Sequence, residues 1–180
     1  MSENELPSEW LPDLIKNFSY NRQQQLTHLI EVIQKVHTQQ KDGTFCDIKL
    51  VVGGKVFPAH KAVLASCSDF FMAMFSSDFK ESRQAEASIA GKPEAFEVLL
   101  ECAYSGKLSV TMANVMDVFE MAHYLQFSYA IRGCTSFLTE EVLHQNVDIT
   151  SAIRIMSTAD VYDLEKLKKG CKQYIAENFD

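Results

Sequence analysis

Residues 45–60 read Phe45-Cys46-Asp47-Ile48-Lys49-Leu50-Val51-Val52-Gly53-Gly54-Lys55-Val56-Phe57-Pro58-Ala59-His60. From Phe45 to Val52, and again from Lys55 to Phe57, the period is two, which predicts a pair of strands. Gly53-Gly54 between them predicts a hairpin, because a tight primed turn needs positive φ at its central positions. A phosphate loop is excluded, since neither G-K-[ST] nor G-x-G-x-x-G accompanies the glycines. The hairpin therefore seeds a small sheet, and the pattern changes on both sides of it.

Downstream of Pro58 the chain reads mostly as helix. Residues 62–67 and 68–75 predict two short helices, with Ser66 and Ser68 as breaks or caps. Alternation in Ala85-Glu86-Ala87-Ser88-Ile89 predicts one more short strand. Pro93 opens a helix carrying Phe96, Leu99, Leu100 and Ala103, and Gly106 closes it. Leu108-Ser109-Val110 is an extended link, and further helices are expected at 112–124, 128–141, 147–158 and 164–178. On the last, Leu164, Leu167, Cys171, Tyr174 and Ile175 share one side, and Lys166, Lys168, Lys169 and Lys172 form a solvated face.

Upstream of the hairpin, residues 22–38 are periodic at 3.6, with Leu26, Leu29, Ile30, Ile33 and Val36 on one face. The domain has too little else to cover that face entirely, which makes it a candidate interface. Before it, Leu11, Leu14, Ile15 and Phe18 repeat at i, i+3, i+4, i+7. That segment, Trp10 to Phe18, either folds back onto its own domain or orders against a partner. Residues 1–9 are polar and acidic, and disorder is expected there.

The 180 residues are 47% hydrophobic and 23% charged, ordinary globular composition. No apolar run is long enough to span a bilayer, and Met1-Ser2-Glu3-Asn4-Glu5 lacks the basic start of a signal peptide. A balance of 17 basic against 24 acidic residues, net −7, argues against a nucleic-acid surface. Cys46, Cys67, Cys102, Cys134 and Cys171 form an odd set without C-x-x-C, so buried free thiols in a reducing, intracellular compartment are expected. The five histidines show no zinc spacing and no H-E-x-x-H. His60 and Cys67, seven apart, could share a helical face. A Cys–His nucleophile also needs an orienting group and an oxyanion site, and the sequence offers neither. No catalytic, cofactor-binding or metal residue is expected.

The blocks Phe45-Cys46-Asp47-Ile48, Val56-Phe57-Pro58-Ala59-His60-Lys61-Ala62-Val63-Leu64-Ala65-Ser66-Cys67-Ser68 and Phe70-Phe71-Met72-Ala73-Met74-Phe75 resemble a BTB (POZ) domain. Leu99-Leu100-Glu101-Cys102-Ala103-Tyr104-Ser105-Gly106-Lys107-Leu108 resembles the same family's helix and Y-[ST]-G turn. Cys134-Thr135-Ser136-Phe137-Leu138, Gln145-Asn146 and Tyr174-Ile175-Ala176-Glu177-Asn178-Phe179 resemble the start of the BACK domain of kelch-like proteins, the helical pair called the 3-box. Val147 departs from that branch, which commonly has Cys after the Asn. The resemblance implies an α+β fold: a small sheet flanked by a helical cluster, followed by a C-terminal helical pair. The implied division is an N-terminal extension at 1–20, partly disordered, a BTB/POZ domain at 21–143, and the 3-box with the start of a BACK domain at 144–180, with further chain expected after Asp180.

Two surfaces come with the family. The helix bearing Leu26, Leu29, Ile30, Ile33 and Val36 is similar to the one that packs across the two-fold axis of BTB homodimers. Asp47 and Lys61 match a structural charged pair beneath it. Asp78-Phe79-Lys80-Glu81-Ser82 resembles the apolar-x-Glu motif that contacts cullin-3, with Phe79 as anchor and Glu81 as acceptor. Tyr104 and Tyr124 fall at helix ends lining that same face in the family. The resemblance thus implies a non-catalytic, homodimeric substrate adaptor of a cullin-3 RING ubiquitin ligase, without cofactor. Its partners would be a second copy, cullin-3, and a substrate held by a module beyond Asp180, with no nucleic acid and no membrane. Its location would be cytoplasmic, with the nucleus also open. The other readings are a BTB transcriptional regulator that recruits corepressors, and a cytoskeletal or structural scaffold.

Overall fold

The computed structural model of the chain describes residues 20–76 and 85–178. Strands β1 (Ile48–Val52) and β2 (Lys55–Ala59) form the expected hairpin, with Leu50 opposite Phe57 and Val52 opposite Lys55. Gly53 and Gly54 turn it at φ 54° and 83°, values a side chain resists. At Gly53 a Cβ would also fall 2.8 Å from Pro93 Cδ. The third strand, β3 (Glu86–Ile89), runs parallel to β1 on its other edge, giving the order β2-β1-β3. Ile48, Leu50 and Val52 are buried while Lys49 is exposed, the alternation of a sheet with one face on the core.

Helix α1 (Tyr20–Lys41) is longer than its apolar pattern suggests. Its C-terminal end is pinned by polar bonds: the buried Gln40 donates from Nε2 to the Pro58 carbonyl (2.9 Å), and Lys41 Nζ reaches Glu101 (2.8 Å). After β2, helices α2 (Lys61–Cys67) and α3 (Asp69–Phe75) are separated by Ser68 alone. The buried Ser68 accepts from Phe71 N–H and donates to the Leu125 carbonyl, so it is the cap. Ser66, the alternative break, lies inside α2 and bonds back to the Ala62 carbonyl (2.7 Å).

Helix α4 (Pro93–Ser105) has Pro93 at its first position and ends on Gly106 in the left-handed region, φ 70°. Helix α5 (Val115–Tyr124) starts three residues later than expected, because Asn114 Oδ1 accepts from Thr111 N–H (2.7 Å) and holds a turn there. Helix α6 (Ser128–Leu143) runs two residues past Glu141. Helix α7 (Ile149–Val161) begins after Asp148, whose carboxylate caps Ser151 N–H at 2.8 Å, rather than at Val147. Helix α8 (Glu165–Asn178) packs on α7 and α6.

One continuous core runs from Ile48 to Tyr174. Tyr162, at the end of α7, lies against Phe119 and His123 of α5 at ring-centroid distances of 5.0 and 4.2 Å. The Tyr174 hydroxyl donates to the Val147 carbonyl. The C-terminal pair is therefore packed on the sheet-containing part rather than hanging from it. On α8, Lys166, Lys169 and Lys172 are exposed as expected, but Lys168 is half-buried and paired with Asp160. The architecture is α+β, a three-stranded sheet flanked by a helical cluster and followed by a helical pair. Among the described residues no helix is long and apolar enough to cross a membrane.

Candidate interaction surfaces

The apolar face of α1 divides in two. Val36 packs on the core and Leu26 is half-buried, whereas Leu29, Ile30 and Ile33 are 61%, 53% and 39% exposed. The division follows from the anchoring: Gln40, Lys41 and His37 tie only the last turns of α1 to β2 and α4. Ahead of them, four large aliphatic side chains, Leu29, Ile30, Val32 and Ile33, stand in water. An adjoining patch of that kind marks an interface more often than a bare surface.

Asp47 and Lys61 meet, but through the backbone: the Lys61 N–H donates to Asp47 Oδ1 at 2.8 Å. Lys61 is the first residue of α2, and His60 before it gives no side-chain cap. Asp47 thus caps α2 from the neighbouring loop, where a carboxylate also suits the positive end of the helix dipole. The Lys61 ammonium lies over the Phe75 ring, 5.7 Å from its centroid.

Tyr104 does not offer its side chain to a partner, as its family position implied; that expectation is corrected. It is 1% exposed, and its hydroxyl accepts from His60 N–H (2.8 Å) and lies 2.9 Å from His60 Nδ1. His37 stacks on the same ring at 5.9 Å and bonds Glu101, so Tyr104 locks α1, α2 and α4 together. His60 faces Cys46 rather than Cys67, with Sγ 3.8 Å from Nε2. That nitrogen is also 3.1 Å from the Thr44 carbonyl, and burial with the Asp47 charge pushes the Cys46 thiol up. A thiol held protonated beside an imidazole already bonded elsewhere is a poor nucleophile.

Tyr124 is 47% exposed and packs beside Phe70, ring centroids 5.4 Å apart. It borders a hollow of 250 Å³ walled by Gly91, Met121, Glu120 and the Lys92–Asp117 ion pair (2.6 Å). Phe79 and Glu81 lie outside the described residues, as does the segment from Trp10 to Phe18. Of the thiols, Cys102, Cys134 and Cys171 are buried and raised by burial to about 11, 12 and 11, and Cys67 is half-buried. Among the described residues no cluster of His, Cys, Asp and Glu could hold a metal ion. Sequence reasoning missed Gln40, because a buried glutamine in a helical pattern gives no signal until its acceptor is known.

A family model of the BTB/POZ domain matches residues 36–142. Kelch-like protein 24 of Homo sapiens is 34% identical over 155 residues, 86% of this chain and 25% of that protein. Kelch-like protein 24a of Danio rerio is 31% identical over 176 residues, 97% of this chain and 28% of that protein. The chain spans about a quarter of the length of these curated relatives. Among solved structures, the BTB domain of zebrafish PATZ1 is similar at a TM-score of 0.57 and 33% identity, covering 63% of this chain and 92% of that one.

Proposed function

The chain belongs to the BTB/POZ family of protein–protein interaction domains, and from that premise we propose that it is the dimerising, cullin-3-binding part of a ubiquitin-ligase substrate adaptor. One observation carries the choice among BTB roles. Similarity to a kelch-like protein extends over 97% of the chain, well past residue 142, where the BTB match ends. It takes in the α7–α8 pair, which packs on α5 and α6 instead of forming a separate body.

In this reading the protein performs no bond chemistry. Two copies join through Leu29, Ile30 and Ile33 of α1, and each presents Phe79, Glu81 and Tyr124 to one cullin-3. A substrate held elsewhere in the same polypeptide then sees ubiquitin-charged enzyme at a raised effective concentration. Two-fold symmetry supplies two such arms. Phe79 contributes buried apolar area, and Glu81 accepts hydrogen bonds that fix register.

Titration of purified cullin-3 N-terminal region against wild type, Phe79→Ala and Glu81→Ala tests the reading. Losing about 2 kcal/mol of aromatic burial weakens affinity roughly 30-fold for Phe79→Ala. Glu81→Ala also loses affinity, and its loss shrinks as salt rises. Equal affinities for all three proteins, each folded, overturn the cullin role and leave the corepressor and scaffold readings.

A further inference from the structure

His123, in the last turn of α5, stands where the sheet-containing part meets the C-terminal pair, and neither proposed surface uses it. Its ring lies against Phe119 of its own helix, centroids 4.6 Å apart, and against Tyr162 at the end of α7, centroids 4.2 Å apart. Tyr162 also meets Phe119 edge to face, so the three rings close on one another. His123 Nε2 is buried in that contact without a hydrogen-bond partner.

We infer that this seam is a proton-operated latch: protonating His123 releases the Tyr162 end of α7 from α5 while the rest of the chain stays folded. A neutral imidazole suits the site, because with its proton on Nδ1 it leaves only a lone pair at Nε2. An imidazolium does not, since both nitrogens then donate and Nε2–H has no acceptor. Attraction between the cation and the two rings offsets part of that cost. Burial outweighs it and lowers the imidazole pKa. The neighbouring charges are engaged elsewhere. On α5, Asp117 pairs with Lys92, and Glu120 lines the hollow beside them. On α7, Asp160 is taken by Lys168 of α8, and Asp163 acts on the same lysine. Neither these nor the charges of α4 and α6 (Glu94, Glu97, Glu101, Arg132, Glu140, Glu141) shift the imidazole, on which burial alone acts. Tyr162 is the titratable group that faces it.

Tyr162 is the side that yields. Helix α5 is fixed by the buried Val118, Phe119, Met121 and Ala122. Tyr162 instead closes α7 between Val161, 77% exposed, and Asp163, whose φ of 55° is disfavoured for a residue with a side chain. The remainder of the pair keeps its own ties, Tyr174 to the Val147 carbonyl and Gly170 against Val142 of α6. With Tyr162 released, His123 titrates near the ordinary value of about 6.5. The latch is therefore closed above that value and opens as pH falls from it to the lowered value of the closed state. One proton raises the open population by at most about tenfold per pH unit. The inference rests on neither dimerisation nor cullin binding.

The backbone amides of Tyr162 and Leu164 are the reporters, bonded to the Thr158 and Ala159 carbonyls at 3.0 and 2.8 Å. Their hydrogen exchange in the 180-residue chain is followed between about pH 8 and pH 5, each rate divided by that of an unstructured peptide at the same pH. In wild type their protection is expected to fall by up to about tenfold per pH unit below about 6.5, while β1 and β2 keep theirs. His123→Gln, neutral throughout, is expected to stay flat. Tyr162→Ala supplies a second measurement: with the ring gone Nε2 meets water, and the NMR titration of His123 moves up towards its ordinary value. If His123→Gln does not fold, that titration decides with the wild-type exchange. Protection independent of pH in wild type overturns the inference, as does an equal fall in His123→Gln. So does a fall that extends to β1 and β2, which would be global unfolding, or a His123 titration that Tyr162→Ala leaves in place.

Discussion

Tyr104 shows how a residue's motif position and its physical role can part. A tyrosine at a helix end, in a turn shared with a binding family, reads as a surface contact. In the structure its ring lies beside both His37 and His60, and burial raises the phenol to about 12. Tyr104→Phe removes the acceptor for His60 N–H, leaving a part-buried donor stranded at a cost of about 1–3 kcal/mol. The urea midpoint falls accordingly, while cullin-3 affinity of the folded variant stays unchanged. Affinity loss without loss of stability would return Tyr104 to the surface. His123 should contribute a pH dependence between neutral and mildly acid pH. Its Nε2 is buried without a partner against Phe119 and Tyr162, and burial lowers its pKa. As pH falls, the unfolded chain takes up this proton first, near the ordinary value of about 6.5. Stability is therefore flat above that value and declines from it down to the lowered folded value. Urea melts at neutral and mildly acid pH should give a smaller decline for His123→Gln than for wild type; an equal decline would remove His123 as its source.

At the scale of the element, what the sequence made legible was whatever local chemistry decides. Gly53-Gly54 specified the hairpin, Pro93 and Gly106 bounded α4, and the apolar stripe marked α1. The start of α5 was not legible, since Asn114 competes for the backbone through a side-chain bond that propensity does not reveal. Nor was the parallel pairing of β3 with β1, because a strand's alternation names no partner. Ser66 and Ser68 illustrate the same limit. Both are plausible breaks locally, and only the Leu125 carbonyl, 57 residues away, distinguishes them. Ser68→Ala loses the α3 cap and that buried bond together, costing about 1–3 kcal/mol. Ser66→Ala, on an exposed face of α2, should stay within about 0.5 kcal/mol. Equilibrium unfolding of the two variants side by side checks the contrast; equal destabilisation would mean that the α2–α3 corner is held by packing rather than by Ser68.

Over the whole molecule, the sites were legible only where one element carries them. The α1 face could be read from its spacing, although which of its residues meet solvent depends on where Gln40 and Glu101 tie the helix. The hollow of 530 Å³ beside Ile33, Cys67 and Arg132 could not be read, because its walls come from four elements spread over a hundred residues. If the chain dimerises through α1 as proposed, this arrangement makes dimerisation separable from the rest. The C-terminal pair covers α6, where Gly170 of α8 meets Val142, so removing residues 144–180 should lower the melting temperature. The α1 face lies outside that contact, and the shortened chain should still dimerise if it folds. Ile30→Asp tests the face directly. Ile30 is 53% exposed in the single chain, so a charge there is solvated and the melting temperature should not fall beyond the loss of dimer linkage. Across a two-fold axis the same change places two carboxylates in one desolvated seam, and like charges so placed cost several kcal/mol. Sedimentation at micromolar concentration should therefore find wild type as dimer and Ile30→Asp as folded monomer. A wild type that sediments as monomer there, or a variant that stays dimeric, would remove α1 as the axis of assembly.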